Sequence, residues 1–466
     1  AGKTAPKQDC KRMKSIIYPI CMGVALLLSG CGIYTTYKPV EKVPDNLYGE
    51  SVQTDTVAPL NSLDWRELFT DSQLQTLITT ALKQNIDLRT SDLRIKEAEA
   101  ALRTSKLAFL PSFMLAPQGG VSSFDKSKAS WTYTLPLSAS WEVDIFGKLR
   151  NAKKQSAALL EQSNDYRQAV KTQLISSVAN TYYTLLMLDE QLEISVSTET
   201  SWKETVNVMR KLMNAGQGTE ASVSQMEATY YSICNSVLDL QEQINQVENA
   251  MCLLLGETPH HIERGKLDGQ QFPEHIAVGL PVTLLSQRPD VRSAERGIEQ
   301  AFYVTNQARA AFYPSLNLSG NLGWTNSAGQ MIINPGKLIA NAIGSLTIPL
   351  FSRGRNKANL DIAKAQQEEA SLTFEQTLLN AGKEVNDAMT QYQTAINKSQ
   401  LFKSQVEASE RAYRSTKLLM THGPTTYLEV LTAQQAYLTA QLQQTANKFN
   451  EIQGVINIYH ALGGGQ

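Results

Sequence analysis

The chain has 466 residues, with 43 Lys and Arg against 44 Asp and Glu and a formal net charge of −1. Hydrophobic residues make up 42% and charged residues 19%, which argues against disordered, collagen-like and coiled-coil-only classes. Balanced charge argues against nucleic acid as a partner, and a mean hydropathy of −0.26 argues against a polytopic helical membrane protein.

At the N-terminus, Lys11, Arg12 and Lys14 surround a start-like Met13 and precede an apolar run from Ile16 to Leu28. That run is too short to cross a hydrocarbon core, which takes about 20 helical residues, and it suits the h-region of an export signal. It ends in Leu28-Ser29-Gly30-Cys31, which resembles a bacterial lipobox. The resemblance implies cleavage before Cys31 and acylation of that cysteine. Residues 1–30 are therefore read as a lipoprotein signal, and 31–86 as a lipidated segment with a first helix. Cys234 and Cys252 fall 18 positions apart in one helical stretch, about 27 Å along its axis, too far for a disulfide. They read as small buried hydrophobes.

The remainder reads as one unit written twice. Asp87-Leu88-Arg89 and Phe109-Leu110-Pro111-Ser112-Phe113 match Asp290-Val291-Arg292 and Phe312-Tyr313-Pro314-Ser315-Leu316 at a constant separation of 203 positions. Later matches, among them Met213, Gly216, Tyr230 and Gly256 with Met420, Gly423, Tyr437 and Gly463, stand 207 apart. Length alone suggests about three domains; the duplication replaces them with repeat 1 at 87–256, a linker at 257–289 and repeat 2 at 290–463. Each repeat begins with a helix (Leu88–Phe109, Val291–Phe312) that ends before a proline. A β-hairpin and a very long helix follow, the first spanning about Arg150 to Ala215 without Pro or Gly. Turns at Gly216–Gly218 and Gly423-Pro424 then lead into returning helices. Leu240, Ile244, Val247, Met251 and Leu254 carry the 4–3 spacing of a coiled-coil seam.

The hairpins predict strands at about 112–122, 130–146, 314–326 and 338–351. Trp131, Tyr133, Leu135, Leu137, Trp141 and Val143 alternate with Thr132, Thr134, Ser138, Ser140 and Glu142, which gives one apolar and one polar face. Leu316, Leu318, Leu322 and Trp324 alternate in the same way. The lengths suit tilted strands of a transmembrane barrel. Such a barrel needs about eight strands, and lipid tolerates no open edge, so several chains are expected to contribute to one barrel. The fold class expected is mainly α with a transmembrane β component.

Leu284-Leu285-Ser286-Gln287-Arg288-Pro289-Asp290-Val291-Arg292-Ser293-Ala294-Glu295 resembles a hallmark of the TolC-like outer-membrane factors. Ala139-Ser140-Trp141-Glu142-Val143-Asp144-Ile145-Phe146-Gly147-Lys148-Leu149-Arg150 and Pro349-Leu350-Phe351-Ser352-Arg353-Gly354-Arg355 resemble that family's strand-to-helix junctions. With the lipobox, the likeness is to the lipoprotein branch. It implies a homotrimer in the outer membrane of a Gram-negative bacterium, with a barrel of about twelve strands and an antiparallel α-helical coiled-coil tunnel in the periplasm. It also implies a periplasmic adaptor docked at the tip turns Gly216, Gly218, Gly423 and Pro424, and an inner-membrane pump, often of the RND type. Glu429, six positions past Gly423, falls where the family carries an acidic constriction, and three such side chains would attract cations. The family's latch positions fall on Met420, Thr425, Thr432 and Ser222, so its known latch is not expected. Leu428, Tyr427 and hydrophobic closure are the remaining candidates.

No catalytic constellation, metal-binding spacing or phosphate loop occurs, and His260-His261 read as an exposed linker. No cofactor is implied beyond lipid on Cys31. A trimeric efflux channel, a type I secretion channel and a surface lipoprotein scaffold all remain open here, and the amphipathic strands favour a channel.

Overall fold

The computed structural model describes residues 34, 36–39, 64–123, 125, 128–270, 272, 288–325, 337–422 and 426–464. Cys31, Gly423, Pro424, Thr425 and the 284–287 part of the hallmark lie outside these. The helices are α1 (Trp65–Leu68), α2 (Ser72–Gln84), α3 (Ile86–Leu107), α4 (Lys148–Asn214), α5 (Glu220–Leu255), α6 (Pro289–Ala310), α7 (Arg355–His422) and α8 (Tyr427–Ala461). The strands are β1 (Ser112–Leu115), β2 (Gln118–Ser122), β3 (Ser130–Val143), β4 (Ser315–Thr325) and β5 (Lys337–Thr347). Among the described residues no helix is long and apolar enough to cross a membrane. Two compact units emerge. One gathers Lys96–Gln162 and Glu295–Thr373, and holds the sheet. The other gathers Glu41–Ile95, Ser163–Ala294 and Phe374–Gln466, and is helical.

In the first unit all strands are antiparallel, with β3 between β1 and β2 on one side and β4 on the other, and β5 beyond β4. The expected strand over 112–122 is split. Leu115 pairs with Leu137 and Gln118 with Thr134, so the register is continuous and the gap falls at Ala116 and Pro117. Pro136, which faces Ala116, and Pro117, which faces Leu135, both lack the N–H that the ladder needs there. Only the Ala116 N–H to Pro136 carbonyl bond, at 3.3 Å, bridges the gap. The expected strand over 130–146 stops at Val143. The Asp144 carboxylate instead accepts the Leu149 and Arg150 amides at 3.0 Å and starts α4. The intervening Gly147 is left-handed, at φ 74°. The last strand ends at Thr347 rather than residue 351, and Leu350 and Phe351 beyond it are 92% and 86% exposed.

β3 and β4 approach closely where Gly323 faces Pro136. A Cβ at Gly323 would collide with the Leu135 carbonyl oxygen, a backbone atom that only strand separation could move. Gly323→Ala is therefore expected to destabilise this hairpin by at least 1–3 kcal/mol, about the usual overpacking range. A reduced yield of membrane-embedded, protease-resistant protein would report it. A yield equal to the parent's would mean that the strands are not this close.

The helical unit is centred on α4. Ile175, Val178, Tyr182, Leu185 and Leu186 of α4 are buried, as are Leu68, Phe69, Leu74 and Ile78 near the N-terminal side, and Val455, Ile456 and Tyr459 of α8. Phe69 meets Tyr459 edge to face at 6.2 Å. α7 and α8 touch backbone to backbone at Gly454, where a Cβ would lie 2.9 Å from Tyr392 Cα. Each returning helix ends on a left-handed glycine, Gly256 and Gly463, and its last turn is tied to the start of a hairpin unit. The Asn85 amide donates to the Leu254 carbonyl at 2.9 Å, and Arg288 donates to the Ala461 carbonyl at 2.7 Å. Asn85 and Arg288 are 203 positions apart, and the two carbonyls 207 apart.

Candidate functional site

Two features carry functional geometry: the sheet and the helical tips. The pairing places Phe113, Leu115 and Val121 of β1 and β2 in line with Ala139, Leu137 and Trp131 of β3. Leu135, Leu137, Trp141 and Val143 then face Trp324, Leu322, Leu318 and Leu316 of β4. Leu316 and Trp324 in turn face Leu346 and Leu338 of β5. Because side chains alternate along a strand, this is one continuous apolar face. It is uncovered: Phe113, Trp131, Leu322, Trp324, Leu338 and Leu346 are all exposed. The opposite face pairs Ser140 with Ser319, Glu142 with Asn317 and Asn321 with Asn341. Trp141 is fixed by its indole N–H, which donates to the Phe109 carbonyl at 2.9 Å. An uncovered apolar face of this extent, backed by a polar one, is unusual for a water-soluble monomer and matches a lipid-facing strand pattern.

At the first tip, α4 ends in paired bonds from Gly216 N–H to Met213 O and from Gln217 N–H to Leu212 O, both 2.9 Å, with Gly216 at φ 78°. This is a glycine C-cap of the Schellman type. A Cβ at Gly218 would press on Met213 N at 3.3 Å. Ser222, the position read from family likeness as the counterpart of an acid, is buried and occupied as a helix cap: it and Thr219 exchange backbone-to-hydroxyl bonds. At the second tip Tyr427, Leu428 and Glu429 form the first turn of α8, with Leu428 and Glu429 exposed. A carboxylate in that first turn suits the positive end of the helix dipole. Met420 and Tyr427 are half-buried against a core of Trp202, Val206, Met209, Val223, Met226, Ile233 and Leu431. That core joins the α4–α5 hairpin to α8. Thr432 donates its hydroxyl to the Leu428 carbonyl at 2.8 Å.

The tip core was not assembled in the sequence reading, nor was the Arg210–Glu227 ion pair across the first hairpin. Antiparallel register counted outward from Gly216–Gly218 would have found that pair. The linker histidines join a larger charge group. His261 Nδ1 lies 2.8 Å from Glu248, which also pairs with Arg264, and Arg264 forks onto Asp189 at 2.5 and 2.9 Å. Hydrogen bonds donated to the carboxylates of Asp189 and Glu248 push the Arg264 guanidinium further up against the opposing effect of burial. The Tyr182 hydroxyl donates to Asp71 at 2.7 Å and accepts the Gly265 amide at 3.0 Å. These bonds pin the linker to α4 and describe a structural role.

The family model for "Outer membrane efflux protein" matches residues 77–257 and 280–464. The chain belongs to this family. It is thus an outer-membrane component of an efflux system, and the family is one of transport ducts. Among relatives, the cation efflux system protein CusC of Escherichia coli K12 is 29% identical over 455 residues, covering 96% of this chain and 99% of that protein. The probable outer membrane lipoprotein SilC of Salmonella typhimurium is 27% identical, covering 96% and 98%. The open-state structure of the MtrE outer membrane channel of Neisseria gonorrhoeae superposes with a TM-score of 0.82 at 28% identity, covering 93% and 98%.

Proposed function

We propose that this chain forms a homotrimeric duct whose strands close one barrel of about twelve strands, through which small toxic molecules or metal ions leave the periplasm passively. The observation that carries the proposal is the uncovered apolar sheet face together with its two free edges, β5 on one side and β1 and β2 on the other. In lipid those edges need partners, and further copies of the chain supply them. Cys31 carries the lipid anchor. Repeats at 87–256 and 290–463 give each chain two hairpins, and the two segments matched by one family model support that division. A periplasmic adaptor docks at Gly216, Gly218, Gly423 and Pro424. An inner-membrane pump, of the RND type, supplies the energy, and the duct itself catalyses no reaction. The likeness to CusC, a cation efflux system protein, favours cations among the cargo.

Tyr427, Leu428 and Met420 close the tip by apolar contact, and Glu429 supplies a ring of carboxylates near the axis. Purified protein in a planar bilayer is expected to be mostly closed and cation-selective when it opens. Glu429→Ala should reduce the cation preference several-fold, because removing fixed negative charge lowers local cation concentration. Unchanged selectivity would sink the assignment of Glu429. Native mass spectrometry should give the mass of three chains, and any other stoichiometry rules out the barrel as described.

A further inference from the structure

The level at which strands hand over to helices carries a charge that the whole chain does not. Residues 103–111, 144–154, 306–314 and 348–361 hold the ends of α3 and α6 and the starts of α4 and α7. They contain ten Lys or Arg against two acids, in a chain of net charge −1. The same sign stands at equivalent places in both repeats. Lys106 and Arg309 are 203 positions apart, and Lys148 and Arg150 are each 205 positions from Arg353 and Arg355. Lys148 is held by Glu142 and Arg150 by Asp144. Lys106, Lys154, Arg309, Arg353 and Arg355 have no ion-pair partner among the described residues, and all of them except the half-buried Arg309 are exposed.

The helices themselves gain nothing from cations at their starts. α4 and α7 carry no acid in the first turn, although the positive end of a helix dipole favours anions. Helical side chains lean toward the N-terminus, so the cations of α4 and α7 reach back toward the sheet. From Lys148 to Lys154 the helix rises about 9 Å. That is close to the depth of a headgroup layer, about 5–8 Å on each side of the hydrocarbon core. Aromatic rings gather at the same level. Phe146 stacks on Tyr313 at 5.1 Å and 24°. The Tyr34 hydroxyl donates to the Phe146 carbonyl at 2.6 Å, with Arg150 and Arg309 near enough to act on it. Trp141 closes this end of the apolar face, its indole fixed on the last turn before β1. Such rings mark the height at which a membrane protein meets the interface.

We propose that this basic collar binds the headgroups of anionic phospholipids in the leaflet on the helix side of the sheet. The proposal rests on the reading of the apolar sheet face as lipid-facing. Each lipid sets its phosphodiester against the unpaired cations and continues its acyl chains along the apolar face next to them. The collar recognises headgroup charge, which gives it a preference among lipids that the apolar face alone lacks.

Tryptophan quenching in vesicles tests this on the full-length chain carrying Trp131→Phe and Trp324→Phe, which leaves Trp141 as the sheet's tryptophan. The vesicles mix phosphatidylcholine with phosphatidylglycerol, and one or the other lipid carries bromine on its acyl chains, which quenches on contact. Brominated phosphatidylglycerol is expected to quench as if enriched about fivefold over phosphatidylcholine, the attraction of roughly one surface cation. The preference should fall toward one in 1 M salt, where the Debye length is about 3 Å. It should also fall toward one when Lys106→Gln, Lys154→Gln, Arg309→Gln and Arg355→Gln are combined, while brominated phosphatidylcholine still quenches and so reports an embedded sheet. Arg309→Lys with Arg355→Lys should keep it, and so should Lys403→Gln, an exposed cation of α7 in the helical unit. Equal quenching by the two lipids, or a preference that survives the four substitutions, would overturn the collar and leave the sheet reading intact. If neither lipid quenches Trp141, the sheet does not face lipid, and the collar falls with that reading.

Discussion

Arg288→Ala is expected to destabilise the helical unit by about 3–5 kcal/mol, the range seen when one partner of a buried ion pair is removed. Arg288 is 3% exposed and makes contacts to three elements. Its guanidinium donates to the two oxygens of Asp290 at 2.7 and 3.0 Å, to Glu384 of α7 at 2.8 Å, and to the Ala461 carbonyl at the end of α8 at 2.7 Å. Alanine would leave two carboxylates facing each other and the α8 carbonyl without its donor. Arg288→Lys should recover only part, since an ammonium cannot match the fork onto Asp290. The midpoint of thermal unfolding measures both variants, and a shift within error of the parent would mean that water replaces the guanidinium without penalty.

The same group sets a pH dependence. Burial alone would raise the Asp290 carboxyl, but its bonds to Arg288 and the Arg288 charge override burial and hold it below its ordinary 3.8. A depressed folded value means that the unfolded chain binds the proton first. The stabilisation is thus present above about pH 4 and lost as pH falls below it. Burial, and then Arg288, also hold the His460 imidazole below its ordinary 6.5, which makes neutral His460 a second contribution lost on acidification. The stability gap between the parent and Arg288→Ala should therefore narrow below about pH 4.

Trp202→Ala is expected to cost a similar 3–5 kcal/mol, about the usual range for deleting a core tryptophan. Trp202 is 1% exposed and lies in the core that joins the α4–α5 hairpin to Leu431 of α8, against which Met420 and Tyr427 rest. Its removal leaves a void at the junction of the hairpins, so the bilayer conductance should show a larger open fraction as well as a lower melting midpoint. Trp202→Phe should cost far less, because the indole N–H has no hydrogen-bond partner among the described residues and its loss removes an unsatisfied donor. If the alanine variant melts normally and stays closed, apolar packing is not what holds these hairpins together.

Much of the architecture could be read from local pattern. Period-two alternation from Trp131 to Val143 and from Leu316 to Trp324 marked the sheet faces, because side-chain direction in a strand depends only on position along it. The long helices followed from stretches without Pro or Gly, and the α4 C-cap from Gly216. Strand ends were less legible. The sequence carried Pro117, Pro136 and Asp144 in plain view, yet the break between β1 and β2 depends on the two prolines falling at neighbouring rungs of one ladder. The end of β3 depends on Asp144 capping a helix. Ser222 could be aligned with an acid by position, but only the turn geometry shows it taken up by Thr219.

By itself, then, the sequence determined which residues share a face and where the long helices run, since those follow from helix and strand periods that involve only near neighbours. The tertiary structure decided everything that couples distant positions: Arg288 meeting Glu384 and Ala461, and Trp202 meeting Leu431. Those groups lie up to hundreds of residues apart, and only the packing of antiparallel helices in a particular register brings them within the few ångströms over which hydrogen bonds and apolar contacts act.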